Sequence, residues 1–222
     1  MEKLPISIGI LSWKSGQTLV NTLTTYHNNG LLNCVNDICI LFQEFSDQDK
    51  QIAEHFNLPY IAKEKNIGIG KAFIELTNQS KTENVLILEH DWKLIEENTL
   101  LKNRLQSGIN MLEKGYKAIR YRHRKDPGYP HFSFQYQGRE LDYYDKEIEV
   151  TSPHLLDSVH YGNWTNNPTL YKKNFYINTV NQFAGGGIDL EGNISKWWAQ
   201  QSYKVAHGEG LFKHIDEGKH GR

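Results

Sequence analysis

The feature that most constrains this chain is Val85-Leu86-Ile87-Leu88, an unbroken apolar run that stops abruptly on Glu89-His90-Asp91. A strand with one face in water alternates apolar and polar residues; one that does not alternate must be covered on both faces. Val85–Glu89 therefore predicts a central strand of a layered α/β domain. Three shorter runs precede it: Pro5–Ser12 (PISIGILS), Asp37–Gln43 (DICILFQ) and Pro59–Ala62. Segments with helical spacing separate them. Ser15–His27 places Leu19, Leu23 and Tyr26 on one side. Ser46–Phe56 begins on a residue suited to capping, Ser46, with Asp49 at the third helical position. Gly70–Asn78 follows a glycine turn. Strands and helices in strict alternation imply βαβ units and a mostly parallel sheet.

The remainder is less regular. Asn98–Glu113 has the spacing of an amphipathic helix, and Ala118–Arg122 (AIRYR) reads as a strand. Alternation puts Arg120, Arg122 and Arg124 on one face, which suits either a solvated edge strand or a surface for a charged ligand. Lys125–Pro130 is a turn by composition. From about residue 131 to residue 170 the chain is aromatic and polar with weak periodicity. Gly185-Gly186-Gly187 then precedes a helix over Asp189–Ser202, and Tyr203–Asp216 reads as two short strands around Gly208 and Gly210.

With 222 residues, one domain is the simplest account. Lys and Arg total 25 and Asp and Glu total 26, which argues against a general nucleic-acid binder. Mean hydropathy is −0.62, and no apolar run has the length of a membrane span. The two cysteines, Cys34 and Cys39, make neither a disulfide framework nor a zinc knuckle. No secretory leader is evident. A soluble protein of the cytoplasm, a host's if the source is viral, is the expectation.

In open parallel sheets ligands bind beyond the carboxyl ends of the strands. There this chain has Ser12-Trp13-Lys14, then Gln43-Glu44, then Lys65 to Lys71, then Glu89-His90-Asp91-Trp92. Gly68-Ile69-Gly70-Lys71 is not a Walker A loop: that motif needs glycine where Lys65 stands, and Ser or Thr where Ala72 stands. G-x-G-x-x-G is also absent after the first strand, which speaks against a dinucleotide-binding dehydrogenase. Gly68 and Gly70 can serve as a strand-to-helix turn alone, while Asn66 and Lys71 suit a base, a ribose or a diphosphate. Glu89 and Asp91 are two acids one residue apart, a hard oxygen set that suits Mg²⁺ or Mn²⁺; Asp91 can equally cap the next segment while Glu89 is solvated.

Taken in order, Ile6–Ser12, Phe42–Asp49, Asn66–Ala72 and Val85–Trp92 resemble a GT-A-type, family-2-like glycosyltransferase. The resemblance covers about residues 5–95 and rests on isolated motifs beyond. It implies a single GT-A-like, Rossmann-like α/β domain over 1–222, with 1–95 as the nucleotide-binding half and 96–222 as a smaller, irregular acceptor-side half. It also implies a UDP- or GDP-sugar donor, a glycan, protein or lipid-linked acceptor, and Mn²⁺ or Mg²⁺. Ser12, Glu44, Asn66, Gly70, Lys71, Glu89, His90 and Asp91 would then lie at the donor, Glu44 on the nucleoside. Glu89-His90-Asp91 stands where the family has D-x-D, so Asp91 would hold the cation and ligation by Glu89 is weakened.

Two later motifs extend the resemblance. Asp189 and Glu191 match the helix start where inverting members place a general base, with Asp189 favoured as the nearer to the glycine turn; as a preferred cap, Asp189 can also serve only there. His214 matches a late histidine that returns to the metal. Trp164 and Asn167, in Trp164–Tyr171 (WTNNPTLY), resemble a stretch near the donor sugar and acceptor, where Trp164 can stack on a ring or sit in the core. Trp197 and Trp198 point about 100° apart on a helix, so one would be core and the other can face an acceptor. The rival readings are a nucleotidyltransferase, for which only Lys14 supplies a cation near the first loop, and a catalytically inactive nucleotide-sugar-binding domain.

Overall fold

A computed structural model describes residues 2–128, 148–152, 155–159, 164–185 and 189–215, with backbone only for 148–152 and 155–159. Most of the segment expected to be irregular, Pro130, Gly186, Gly187 and Asp216 lie outside the described residues.

The first half is built as the apolar pattern requires. In order come β1 (Leu4–Trp13), α1 (Gly16–Asn28), a single turn α2 (Leu31–Cys34), β2 (Val35–Gln43), α3 (Asp47–His55), β3 (Tyr60–Lys63), α4 (Ile69–Gln79) and β4 (Asn84–Glu89). Then follow β5 (Trp92–Leu94), α5 (Asn98–Glu113), β6 (Ala118–Arg122), β7 (Ile148–Ser152), β8 (Leu155–Val159), β9 (Thr169–Lys172), α6 (Lys173–Asn181), α7 (Leu190–Trp198) and β10 (Lys204–His214). The strands form one sheet in the order β3-β2-β1-β4-β9-β6-β10-β8-β7, with β5 paired to β10. The first four positions are all parallel, and β10 runs parallel to β6. Strands β9, β8 and β5 run against the other seven, so the sheet is mixed, with its β3-β2-β1-β4 part wholly parallel.

Period-2 alternation splits the core between the two faces of the sheet. Ile6, Ile8 and Ile10 of β1 pack with Leu19, Leu23 and Tyr26 of α1 and with Leu101 and Leu105 of α5. Leu11, Leu41, Val85 and Ile87 face α4, α6 and α7 through Phe73, Leu76, Val180, Ile194 and Trp198. Both faces of β4 are thus covered, as its unbroken apolar run demands. Each large aliphatic side chain so buried contributes about 1.5–3 kcal/mol. Among the described residues no helix is long and apolar enough to cross a membrane.

Local chemistry sets the boundaries. Ser46 caps α3 through the Asp49 N–H, and the Asp49 carboxylate accepts the Ser46 N–H in return, a capping box. Two expectations change. Tyr203–Asp216 is not two strands around a break but one long strand, β10, whose pairing with β6 shifts register between His207 and Phe212. The glycines there absorb a bulge rather than ending the strand. Nor is Ala118–Arg122 an edge strand: β6 is flanked by β9 and β10, and Arg120 and Arg122 are 7% and 4% exposed.

Ser46→Ala removes one half of the capping box. It should lower unfolding free energy by about 1 kcal/mol, measured by urea denaturation, with no change in the slope against denaturant.

Candidate functional site

The chain leaves β1 for β2 and β3 on one side, then returns to place β4 on the other side of β1. The sheet therefore has its switch point between the carboxyl ends of β1 and β4, where an open α/β sheet forms its ligand crevice. Ser12 and the Glu89–Asp91 turn lie at those ends, joined by a bond from the His90 N–H to the Leu11 carbonyl at 3.0 Å.

On the β1–β2 side the backbone is strained at adjacent strand ends. Lys14 and Glu44 both have positive φ, 50° and 54°, a region that costs a non-glycine residue energy and is tolerated where the surroundings hold it. Their side chains form an ion pair at 2.6 Å. The Lys14 hydrogen bond is the main reason the Glu44 carboxyl is held below the usual carboxylate range. Ser12 is buried, its hydroxyl 3.2 Å from that of Ser15. The Gln43 side chain accepts the Ile67 N–H at 2.7 Å, tying the β3–α4 loop to β2. Asn66 spends its side-chain oxygen locally, on the Gly68 N–H at 2.8 Å. Lys71 is exposed on the first turn of α4.

Gly70 has a packing role. A Cβ there would stand 3.0 Å from Cα of Ala184 and 3.3 Å from a Leu190 methyl, so the start of α4 and the start of α7 touch through it. That contact brings Asp189 close to the β3–α4 turn. Asp189 is exposed and caps α7, its Oδ1 accepting the Gly192 N–H at 2.8 Å. Glu191, in the first turn of α7, accepts the Asn166 N–H at 3.2 Å. The residue is open to solvent, yet protein crowds the carboxyl group, and it is the carboxyl that titrates. That loss of water pushes its pKa up; the Asn166 N–H and Arg120 oppose the rise, and Asp189 adds to it.

On the β4 side, segments far apart in sequence converge. Asp91 is 4% exposed. Its Oδ2 lies 3.4 Å from Nε2 of His214 and 3.9 Å from Nε2 of His90. Its carbonyl accepts the Ile215 N–H at 2.9 Å. His214 is the more open partner, with 24% of its side chain accessible. Its imidazole packs on Trp92 at 4.7 Å between ring centroids. The structure thus brings Asp91, His90 and His214 together, while Glu89 stays in register opposite Leu11. Among the described residues no three His, Cys, Asp or Glu side chains are grouped to hold a metal on their own.

Of its two readings, Trp164 takes the core one. It is 2% exposed and packs with Tyr171, Tyr176 and Trp198, so it offers no ring face to a sugar. Asn167 sits in the adjoining turn, its N–H on the Thr165 hydroxyl at 3.2 Å. Trp198 is fully buried and Trp197 only partly. Arg120, read as either a solvated or a ligand-facing residue, instead donates to Thr169 and Tyr171 at 2.9 and 3.3 Å. What the sequence reading missed is the supporting shell: Lys14 on Glu44, Asn166 on Glu191, and Trp92 under His214.

No protein-family model matches the chain, and no curated protein sequence does. Solved structures do match. The mannosyltransferase PcManGT from Pyrobaculum calidifontis, in complex with GDP-Man and Mn²⁺, is 8% identical with a TM-score of 0.60 over 99% of this chain. S. aureus TarS 1–349 in complex with UDP-GlcNAc is 15% identical with a TM-score of 0.62 over 98% of the chain. Glucosyl-3-phosphoglycerate synthase from Mycobacterium tuberculosis, with Mn²⁺, UDP-glucose and phosphoglyceric acid, is 11% identical with a TM-score of 0.51 over 96%. The chain spans 59%, 60% and 73% of those three chains. At such identities the likeness is one of fold: the chain has the GT-A arrangement of these glycosyltransferases.

The Lys14–Glu44 pair has a definite pH signature. A depressed carboxyl pKa adds stability that is present above the ordinary Glu value and fades as pH falls through the lowered one. Lys14→Met should move the Glu44 carboxyl back toward its ordinary range, read by carbon-13 NMR titration. An unmoved titration would mean that Lys14 does not govern Glu44.

Proposed function

We propose that this chain moves a sugar from a nucleotide-sugar, a UDP- or GDP-sugar, to an acceptor hydroxyl, using a divalent cation and inverting the anomeric centre. The acceptor would be a glycan, a protein or a lipid-linked molecule. We read the chain as one domain, with residues 1–95 on the donor and 96–222 on the acceptor side. The observation that carries the reading is the meeting of Asp91 and His214 beside the switch point, from segments far apart in sequence. Its support is the GT-A fold, whose solved examples include complexes with GDP-Man and Mn²⁺ and with UDP-glucose and Mn²⁺.

The donor set fits such an ion. One carboxylate and one imidazole suit Mn²⁺ better than Mg²⁺. An ion that completes its shell with diphosphate oxygens and water needs few protein ligands. Asp91 Oδ2 and His214 Nε2 would hold it, and burial of Asp91 beside two histidines gives the carboxylate a reason to bind a cation. When bound, a divalent cation supplies Lewis-acid neutralisation of the departing nucleoside diphosphate.

The remaining roles fall to the protein. Glu44, kept ionised by Lys14, would accept hydrogen bonds from the nucleoside. Ser12, Asn66 and Lys71 line the same strand ends, with Lys71 a free-standing cation for phosphate. Asp189 is the favoured base: it is exposed, and its described hydrogen bond uses Oδ1, which leaves Oδ2 to take the acceptor's proton. Glu191, engaged by the Asn166 N–H, would instead brace the 164–167 turn. A single base at the start of α7 suits one in-line displacement, which would invert the anomeric carbon.

Asp91→Ala should abolish Mn²⁺-dependent donor binding in calorimetry; affinity equal to wild type would remove the metal role. Asp189→Asn should bind donor as wild type does while turnover, read as released nucleoside diphosphate, falls about 10²–10⁴-fold. Unchanged turnover would strike Asp189 from the mechanism.

A further inference from the structure

Arg122 has no part in the roles above, yet it reaches both supports of His214. It ends β6 and is 4% exposed. Its Nε donates to the Pro127 carbonyl at 3.1 Å. That same carbonyl accepts the backbone N–H of His214, also at 3.1 Å. The guanidinium carbon lies 5.4 Å from the centre of the Trp92 ring. That ring in turn carries the His214 imidazole at 4.7 Å. One buried cation therefore contacts a carbonyl that fixes the histidine's backbone and an indole that fixes its side chain.

The surrounding loop is shaped for the same end. The His123 N–H bonds the Phe212 carbonyl at 2.7 Å, just before His214. Lys213 pairs with Asp126 at 2.8 Å. Gly128 bridges to His214 so closely that a Cβ would sit 1.8 Å from the His214 carbonyl oxygen. Residues 122–128 thus lie along the end of β10 and hold it. Within that splint Arg122 is the costly member, since a buried charge must be desolvated and an apolar side chain would fill the same space without the penalty. Only a planar guanidinium both stacks on an indole and donates in a fixed direction.

We propose that Arg122 is a positioning residue that sets the His214 imidazole against the Asp91 carboxylate for cation binding. The proposal rests on the reading of Asp91 and His214 as cation ligands. Groups that orient a metal ligand without touching the metal commonly alter affinity about 10–100-fold when replaced. Arg122→Lys retains the charge but not the planar fork, and Arg122→Met retains neither.

The test is a Mn²⁺ titration of the full chain, alone and with UDP or GDP, following free Mn²⁺ by electron paramagnetic resonance. Pulsed resonance then reads the coupling of bound Mn²⁺ to an imidazole nitrogen. Wild type, His214→Ala, Arg122→Lys and Arg122→Met are compared, with folding checked by circular dichroism. His214→Ala should lose the nitrogen coupling. Both Arg122 variants should remain folded, bind Mn²⁺ about tenfold more weakly and show a diminished coupling. If wild type and His214→Ala bind alike and neither shows the coupling, the ligand reading itself falls. If His214→Ala is impaired while both Arg122 variants match wild type, only the positioning role falls. Loss of the fold in both Arg122 variants would mark the residue as structural and overturn the proposal as well.

Discussion

The arrangement depends on a carboxylate held inside the protein at the point where β4 gives way to β5. An isolated buried carboxylate is expensive, so its neighbours must compensate. One such neighbour comes from far along the chain: His214 stands 3.4 Å from the Asp91 carboxylate, and the Ile215 N–H, by bonding the Asp91 backbone carbonyl, holds that segment in place. Strand β5 makes this possible. Its three residues run antiparallel to β10 and pair Trp92 directly with His214. Tyr26 closes the other side, its hydroxyl on the Trp92 carbonyl at 2.6 Å. Burial first, and then the Asp91 charge, push that phenol's pKa well above normal.

The second half of the chain has few long apolar runs, and buried arginines take over part of the task of specifying it. Arg104 of α5 reaches Glu96 at 2.8 Å and Glu209 at 2.9 Å, and also bonds the Gly210 carbonyl at the β10 bulge. Arg120 binds two side chains of β9, and Arg122 binds the Pro127 carbonyl. Buried ions of this kind add little net stability, because desolvation offsets most of the attraction. What they fix is register and orientation: each guanidinium fork accepts only carbonyls, hydroxyls and carboxylates in particular places. A half-sheet of short strands held in this way can present polar groups at its edge without giving up a defined structure.

This explains what could and could not be read from the residues. Strands β1 to β4 and their helices were legible because burial on two faces leaves a local signature, and Ser46 with Asp49 announces the start of α3. Asp91 and His214 were legible as a pair only through the family resemblance, since nothing local connects them. Strand β6 was open to misreading: AIRYR carries charges that look solvated until Thr169, Tyr171 and Pro127, all supplied from elsewhere, satisfy them. Strand β9 is four residues long, too short for periodicity to register, and Gly208 and Gly210 look like a break rather than a bulge. Trp164 could be assigned either way by type; its place among Tyr171, Tyr176 and Trp198 is a tertiary fact. Local signals fail wherever the compensating partner is distant in sequence.

The same geometry gives the proposed site two supports that meet in one core. Asp91 and His214 are set by the seam of β4, β5 and β10. Asp189 hangs from α7, whose first residue, Leu190, packs on Gly70 at the start of α4. The proposed base and the first turn that carries Lys71 therefore share one contact, while the proposed cation ligands share another. The two are not independent: Ile194 and Trp198 of α7 pack in one apolar cluster with Val205 of β10 and Ile87 of β4. In an in-line displacement the nucleophile's base and the leaving group's neutralising charge must stand on opposite sides of the reacting carbon. A core shared by α7, β4 and β10 would hold those two groups at a fixed separation.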